Sequence, residues 1–200
     1  MPNNYQIRSI SRNQLENRIF STNWLLMVVV FIIVGAVLAL PTLIFSAFGS
    51  IITLVIAGPV MLSLAAVCLL LPRSGGAPDF KYLIYGFNKE NFVRSILINI
   101  LTAVFTLLWS ILFVIPGIVK MYAYSASYYI ALDEPKLGAR ACMAKSERVM
   151  QGHKFQLFML DLSFIGWYIV GAMAFGVGTL FVIPYHIMAR TNFYDKIVNP

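Results

Sequence analysis

No Asp, Glu, Lys, Arg or His stands between Arg18 and Arg73 or between Arg94 and Lys120, and only Asp161 and His186 interrupt the run from Lys154 to Arg190. A helix needs about 20 mostly apolar residues to cross a bilayer. These gaps hold several crossings and point to an all-α fold, a polytopic membrane helical bundle. Composition agrees: 60% of the 200 residues are hydrophobic and 12% charged, against roughly 45–50% apolar in soluble domains. The apolar stretches predict about six transmembrane helices in three hairpins, near 24–45, 50–71, 92–109, 112–131, 155–175 and 179–194. The whole chain, 1–200, reads as a single integral membrane domain, with an N-terminal segment over 1–23, a first hairpin over 24–71 and the motif-bearing helices over 92–194. The stretch 24–40 has the look of a signal-peptide core. It is too long for one and no small-x-small cleavage site precedes the next span, so it reads as a retained first helix.

Cytoplasmic loops of membrane proteins are enriched in Lys and Arg. Here 14 of the 15 such residues fall before the first span, between the second and third, between the fourth and fifth, or after the last. That pattern places both termini in the cytoplasm. The exception, Lys120, is expected near the outer boundary, where its stem can snorkel. The net charge of +7 predicts attraction to anionic lipids on the cytoplasmic face, worth about 1 kcal/mol per residue close to the surface. Orientation explains the same charge without nucleic acid, and no recognition motif accompanies it.

Between the fourth and fifth spans, Ala139, Cys142, Met143, Ser146, Val149 and Met150 recur at spacings of three and four, which predicts an amphipathic cytoplasmic helix over about 136–151. Pro135 suits its first turn and Gly152 its end. Two readings stand: a connector packed on the bundle, and a surface for lipid or a partner. Near the N-terminus, Ser11 and Gln14 fit a capping box, with Ile7, Ile10 and Leu15 on the apolar side of a second short helix. Cys68 and Cys142 are expected at different depths, with no disulfide and no metal cluster implied.

The pentapeptide LFVIP occurs twice, at Leu112–Pro116 and Leu180–Pro184. Each copy is expected to open a returning helix, with its proline in the first turns, where the missing N–H has no intrahelical partner to lose. Gly117 leaves open a later turn at the Pro-Gly pair. Duplication of a hairpin and chance recurrence in a chain rich in these residues both account for the repeat.

Trp109-Ser110, Ile115-Pro116-Gly117-Ile118, Tyr124-Ser125, Met150 with Gly152-His153, the run Leu160-Asp161-Leu162-Ser163-Phe164-Ile165-Gly166-Trp167, and Pro184-Tyr185 together cover roughly the last 115 residues. In these motifs the chain resembles a family of uncharacterised bacterial multi-pass integral membrane proteins, a domain-of-unknown-function family. The resemblance implies a compact helical protein of the bacterial plasma membrane and carries no assigned activity.

Asp161 is the only acid inside an expected span, and a carboxylate there is expensive unless paired. Lys154, His153, His186 and Arg190 are its candidate partners. A structural ion pair and a site for a proton, a cation or a polar ligand both fit. The fourth span is the most polar, with Lys120, Tyr124 and Tyr128, the tyrosines one helical turn apart. Tyr185 stands beside His186 in the Pro-Tyr motif. Asp161, Lys120, Tyr124, Tyr128, His153, Tyr185 and His186 are therefore the candidate ligand-binding residues. HExxH, GxSxG, Walker and GxGxxG patterns are absent, and no cofactor is implied. The expectation is a non-enzymatic protein that binds or moves a small or lipid-like ligand, or serves a membrane protein partner as accessory subunit. The alternative is an intramembrane enzyme acting on a lipid headgroup through His153, Asp161 and His186.

Overall fold

The computed structural model describes residues 3–16, 21–45, 47–74, 78–173 and 176–199. Arg18 and positions 75–77 of the loop LPRSGGAPDF lie outside the described residues, as do position 46, between the first two expected spans, and positions 174 and 175, at the end of the fifth. Among the described residues every regular element is helical. The order is α1 (Asn4–Gln14), α2 (Thr22–Phe45), α3 (Ala47–Ser74), a 3-10 segment (Phe80–Phe87), α4 (Lys89–Leu112), α5 (Val114–Tyr124), α6 (Ser127–Asp133), α7 (Ala139–Val149), α8 (Lys154–Leu162), α9 (Ile165–Met173) and α10 (Val177–Val198). Four stretches are long and apolar enough to cross a membrane: Thr22–Phe45, Phe48–Leu71, Lys89–Leu112 and Lys154–Met173. Leu43, Phe48, Leu107, Ile111, Val170 and Met173 lie exposed along them, an arrangement stable only where the surrounding medium is itself apolar. The chain is an all-α membrane protein.

Two compact units make up the chain, one of Met1–Val34, Val67–Phe80 and Phe155–Pro200, the other of Gly35–Ala66 and Lys81–Lys154. In the second unit α4 and α5 form a hairpin against which α6 and α7 pack. The expected crossing at 112–131 is divided here. At about 1.5 Å per residue, the 11 residues of α5 reach only about 16 Å, well short of the bilayer core. The chain breaks at Ser125-Ala126, and serines close the break: the hydroxyls of Ser125, Ser146 and Ser127 donate to the carbonyls of Tyr122, Ala123 and Tyr124 at 2.8, 2.7 and 2.7 Å. Ser146, fully buried on α7, also accepts from the Ala126 N–H at 3.2 Å. The buried face of α7 is Ala139, Cys142, Met143 and Ser146, and it packs on α4, α5 and α6. Pro135 does not open this helix, whose N-cap is Gly138; the turn before it is occupied by a contact to Arg94. The buried Arg94 guanidinium donates to the Ala131 carbonyl and Asn91 Oδ1, both at 2.8 Å, and to the Pro135 carbonyl. It thereby satisfies the free carbonyl end of α6. Gly152, with φ +81°, turns the chain after α7.

In the first unit α1 and α9 pack on α10. Ser11 does not cap a second helix. It lies inside α1, its hydroxyl donating to the Ile7 carbonyl at 2.8 Å, and the N-terminal device is Asn3 with Gln6, whose Oε1 accepts from the Asn3 N–H at 2.9 Å. Gln14 and Asn192 bond through both ends of their carboxamides, at 3.0 and 2.7 Å. Asn4 bridges α1 to α8, its amide donating to the Gln156 backbone carbonyl at 3.2 Å and its Oδ1 accepting from the Gln156 side-chain amide at 3.3 Å. The α9–α10 hairpin closes through Gly176, at φ +79°, and through Gly171, where an added Cβ would lie 2.8 Å from the Thr179 nitrogen.

The two LFVIP copies occupy different positions. In the first, Phe113 is the extended hinge between α4 and α5, and Pro116 is the third residue of α5, where no N–H is missed. The turn is at Phe113, not at Pro116-Gly117. In the second, the whole pentapeptide lies inside α10 and Pro184 is beyond the first four N–H groups, so the Leu180 carbonyl loses its helical donor. The neighbouring Phe181 carbonyl accepts the Trp24 indole N–H at 2.9 Å. Pro41 inside α2 has the same arrangement: the carbonyl three residues before it, on Leu38, accepts the Thr53 hydroxyl at 3.2 Å.

Ser146→Ala strips a buried N–H and a buried carbonyl of one partner and is expected to lower stability by about 1–3 kcal/mol, read as a lower melting temperature in detergent. Gly171→Val, which forces α9 from α10, should lower it further.

Candidate functional site

The motif Leu160-Asp161-Leu162-Ser163-Phe164 is where α8 gives way to α9. The Phe164 N–H donates to the Asp161 carbonyl at 3.0 Å, and the Ser163 hydroxyl to the Leu160 carbonyl at 2.6 Å. This tight turn sets Asp161 at the end of α8, Phe164 in the turn and Tyr168 one turn into α9, all facing α10.

The Asp161 carboxylate lies 2.9 Å from His186 Nε2 and 3.6 Å from Arg190 Nε, and the Tyr168 hydroxyl lies 3.0 Å from His186 Nδ1. An ionised carboxylate only accepts, so Nε2 carries the proton toward Asp161. Nδ1 then accepts from Tyr168 in the neutral imidazole, or donates to it in the imidazolium. The Phe164 ring stacks on His186 with centroids 4.6 Å apart, and meets Tyr185 edge-on at 4.9 Å. The side chains of Asp161 and His186 are only 18% and 16% exposed. A hydrogen-bonded Tyr168–His186–Asp161 chain, flanked by Arg190, can hold a carboxylate in an apolar setting and exchange a proton along its length.

Tyr185 joins a second feature of the same unit. Its ring packs on Trp24 at 5.9 Å, and the Arg12 guanidinium stands 5.7 Å above it. Tyr185, Tyr5, Arg8, Ser9, Arg12 and Asn13 line a recess of about 100 Å³.

The remaining candidates lie in the other unit. The Lys120 ammonium pairs with Glu147 of α7 at 2.5 Å and stands over the rings of Trp109 and Tyr124, at 5.3 and 5.7 Å. Tyr124 and Tyr128 are not one turn apart on one helix, because the break at 125–126 separates them. Tyr124 packs with Ala123, Met143 and Leu101, while the Tyr128 hydroxyl donates to Asn99 Oδ1 at 3.2 Å. His153 lies half-buried in the turn before α8, its N–H bonded to the Met150 carbonyl.

Sequence reasoning named Asp161, His186 and Arg190 but missed Tyr168, which reaches the site from α9, beyond the turn that follows Asp161. It also missed Arg8 and Arg12 as a pair, four residues apart on α1.

Residues 1–123 and 111–199 each match the family described as protein of unknown function, DUF975. The chain belongs to that family. No curated protein and no solved structure matches it. The stretch Leu160–Phe164 builds the α8–α9 turn and aims Asp161 at α10.

Asp161→Ala and His186→Ala are each expected to destabilise by about 1–3 kcal/mol, since each leaves a largely buried polar partner unmatched. The double variant should lose less than the sum of the two, a coupling measurable by thermal unfolding in one detergent.

Proposed function

We propose that this DUF975 protein resides in the bacterial plasma membrane with both termini cytoplasmic, and acts by binding: it holds or moves a small or lipid-like ligand, or serves another membrane protein as accessory subunit. The observation that carries this reading is the Asp161–His186 contact with Tyr168 and Arg190. An ionisable residue kept inside an apolar span is by default a functional candidate, and this one belongs to a chain of groups able to accept and release a proton. The orientation rests on the Lys and Arg distribution, and attraction to anionic cytoplasmic lipids follows from it. The alternative is an enzyme acting on a lipid headgroup, with His186 as general base oriented by Asp161. It rests on that one contact.

Native mass spectrometry of protein extracted with its surrounding membrane, run on wild type and Asp161→Asn, tests the binding role. A defined lipid, solute or protein on wild type and missing from the variant is the expected result; identical nonspecific lipid on both would make Asp161 purely structural.

Orientation is checked with single cysteines at positions 115 and 140 and a membrane-impermeant maleimide. Position 140 should label only after cell lysis and position 115 on intact cells. Both native cysteines are buried, and burial raises the Cys142 thiol pKa above its ordinary value, so neither competes for the label.

A further inference from the structure

We propose that the recess between α1 and α10 is a binding site for a phosphate-bearing anion, held by Arg8, Arg12 and the Tyr185 hydroxyl. Arg8 and Arg12 are one helical turn apart and so project to one side of α1. None of the six residues lining the recess is acidic. Tyr185 as a whole residue is 4% exposed. Its hydroxyl and the Nε of Arg8 are buried without a hydrogen-bond partner among the described residues. Buried polar groups are almost always bonded, and both of these can donate: Nε–H only donates, and a phenol needs one acceptor for its proton. Two unmet donors, one of them on the Arg8 guanidinium itself, together with the second guanidinium of Arg12, call for an anion rich in acceptor oxygens.

Size and shape favour phosphate. A recess of about 100 Å³ corresponds to roughly three waters at about 30 Å³ each, enough for one compact oxyanion. Guanidinium groups match phosphate geometry through paired N–H donors. None of the residues lining the recess takes part in the ion pairs of Asp161 with His186 and Arg190. A lipid headgroup and a soluble phosphate share this chemistry.

The test uses full-length protein in two settings. In detergent micelles it is titrated with inorganic phosphate and followed by thermal stability; in nanodiscs of phosphatidylcholine with or without phosphatidylglycerol, retained lipid is counted by native mass spectrometry. Saturable binding of at least one probe is expected, weakened at least tenfold by Arg8→Gln and by Arg12→Gln. Tyr185→Phe, which keeps the ring stacked and removes only the hydroxyl, should weaken it several-fold. Arg140→Gln, which removes an exposed charge from α7, should leave it unchanged. Saturation by inorganic phosphate identifies a soluble ligand class; saturation by phosphatidylglycerol alone identifies a lipid headgroup. Failure of both probes to saturate, equal loss in Arg140→Gln, or wild-type affinity in Tyr185→Phe would overturn the proposal. Asp161→Asn keeps the two readings apart, because phosphate binding should survive in it whether or not its retained ligand is lost.

Discussion

A backbone carbonyl or amide that loses its helical partner inside an apolar medium has no water to turn to, and must find another partner within the protein. Much of this fold follows from that constraint. Its helices are interrupted at Ser125-Ala126 and at Ser163-Phe164, and carry prolines at 41 and 184. At each place a side chain bonds a nearby carbonyl: three serine hydroxyls at the first break, the Ser163 hydroxyl at the second, and Thr53 and the Trp24 indole on the carbonyls of Leu38 and Phe181, three residues before the prolines. The position of α7 is part of the same solution. Without Ser146 against Ala123 and Ala126, the joint between α5 and α6 would carry unmatched groups.

The Asp161 site is a by-product of one such interruption. A straight helix through Ser163 would carry Asp161, Phe164 and Tyr168 along a continuous ridge. The turn gives Phe164 the freedom to lie flat on His186 while Asp161 and Tyr168 reach its two nitrogens. A polar chain with both ends of an imidazole occupied is thereby enclosed by apolar helices, and the ring is held in one orientation by stacking as well as by hydrogen bonds.

The long crossings were legible from the charge gaps alone: 24–45, 50–71 and 92–109 correspond to α2, α3 and α4, each a few residues longer in the structure. The interruptions were not legible, because hydropathy stays high across them and serine is also an ordinary helix residue in membranes. The pattern Ser-x-x-Gln at Ser11 looked like a cap, yet Asn3 with Gln6 has the same spacing and occupies the true helix start. Asp161 with His186 and Arg190 was readable, since a lone acid in an apolar span leaves few possible partners. Lys120 was read from loop charge alone, which assigns a side to a whole span and names no partner. Its actual partner, Glu147, became reachable only when α5 stopped after 11 residues.

The attachment of α1 has a further consequence. The helix is held to α8 and α10 by neutral amide bonds, Asn4 with the side chain and backbone carbonyl of Gln156 and Gln14 with Asn192, and by the buried Ile7 and Leu15. None of these contacts is screened by salt, and apolar burial strengthens in sulfate or phosphate. The guanidinium groups of Arg8 and Arg12, by contrast, attract an anion through a field that fades within about 8 Å at physiological ionic strength. Concentrated salt therefore weakens what the helix attracts while leaving the helix in place, so that docking and capture respond to ionic strength independently.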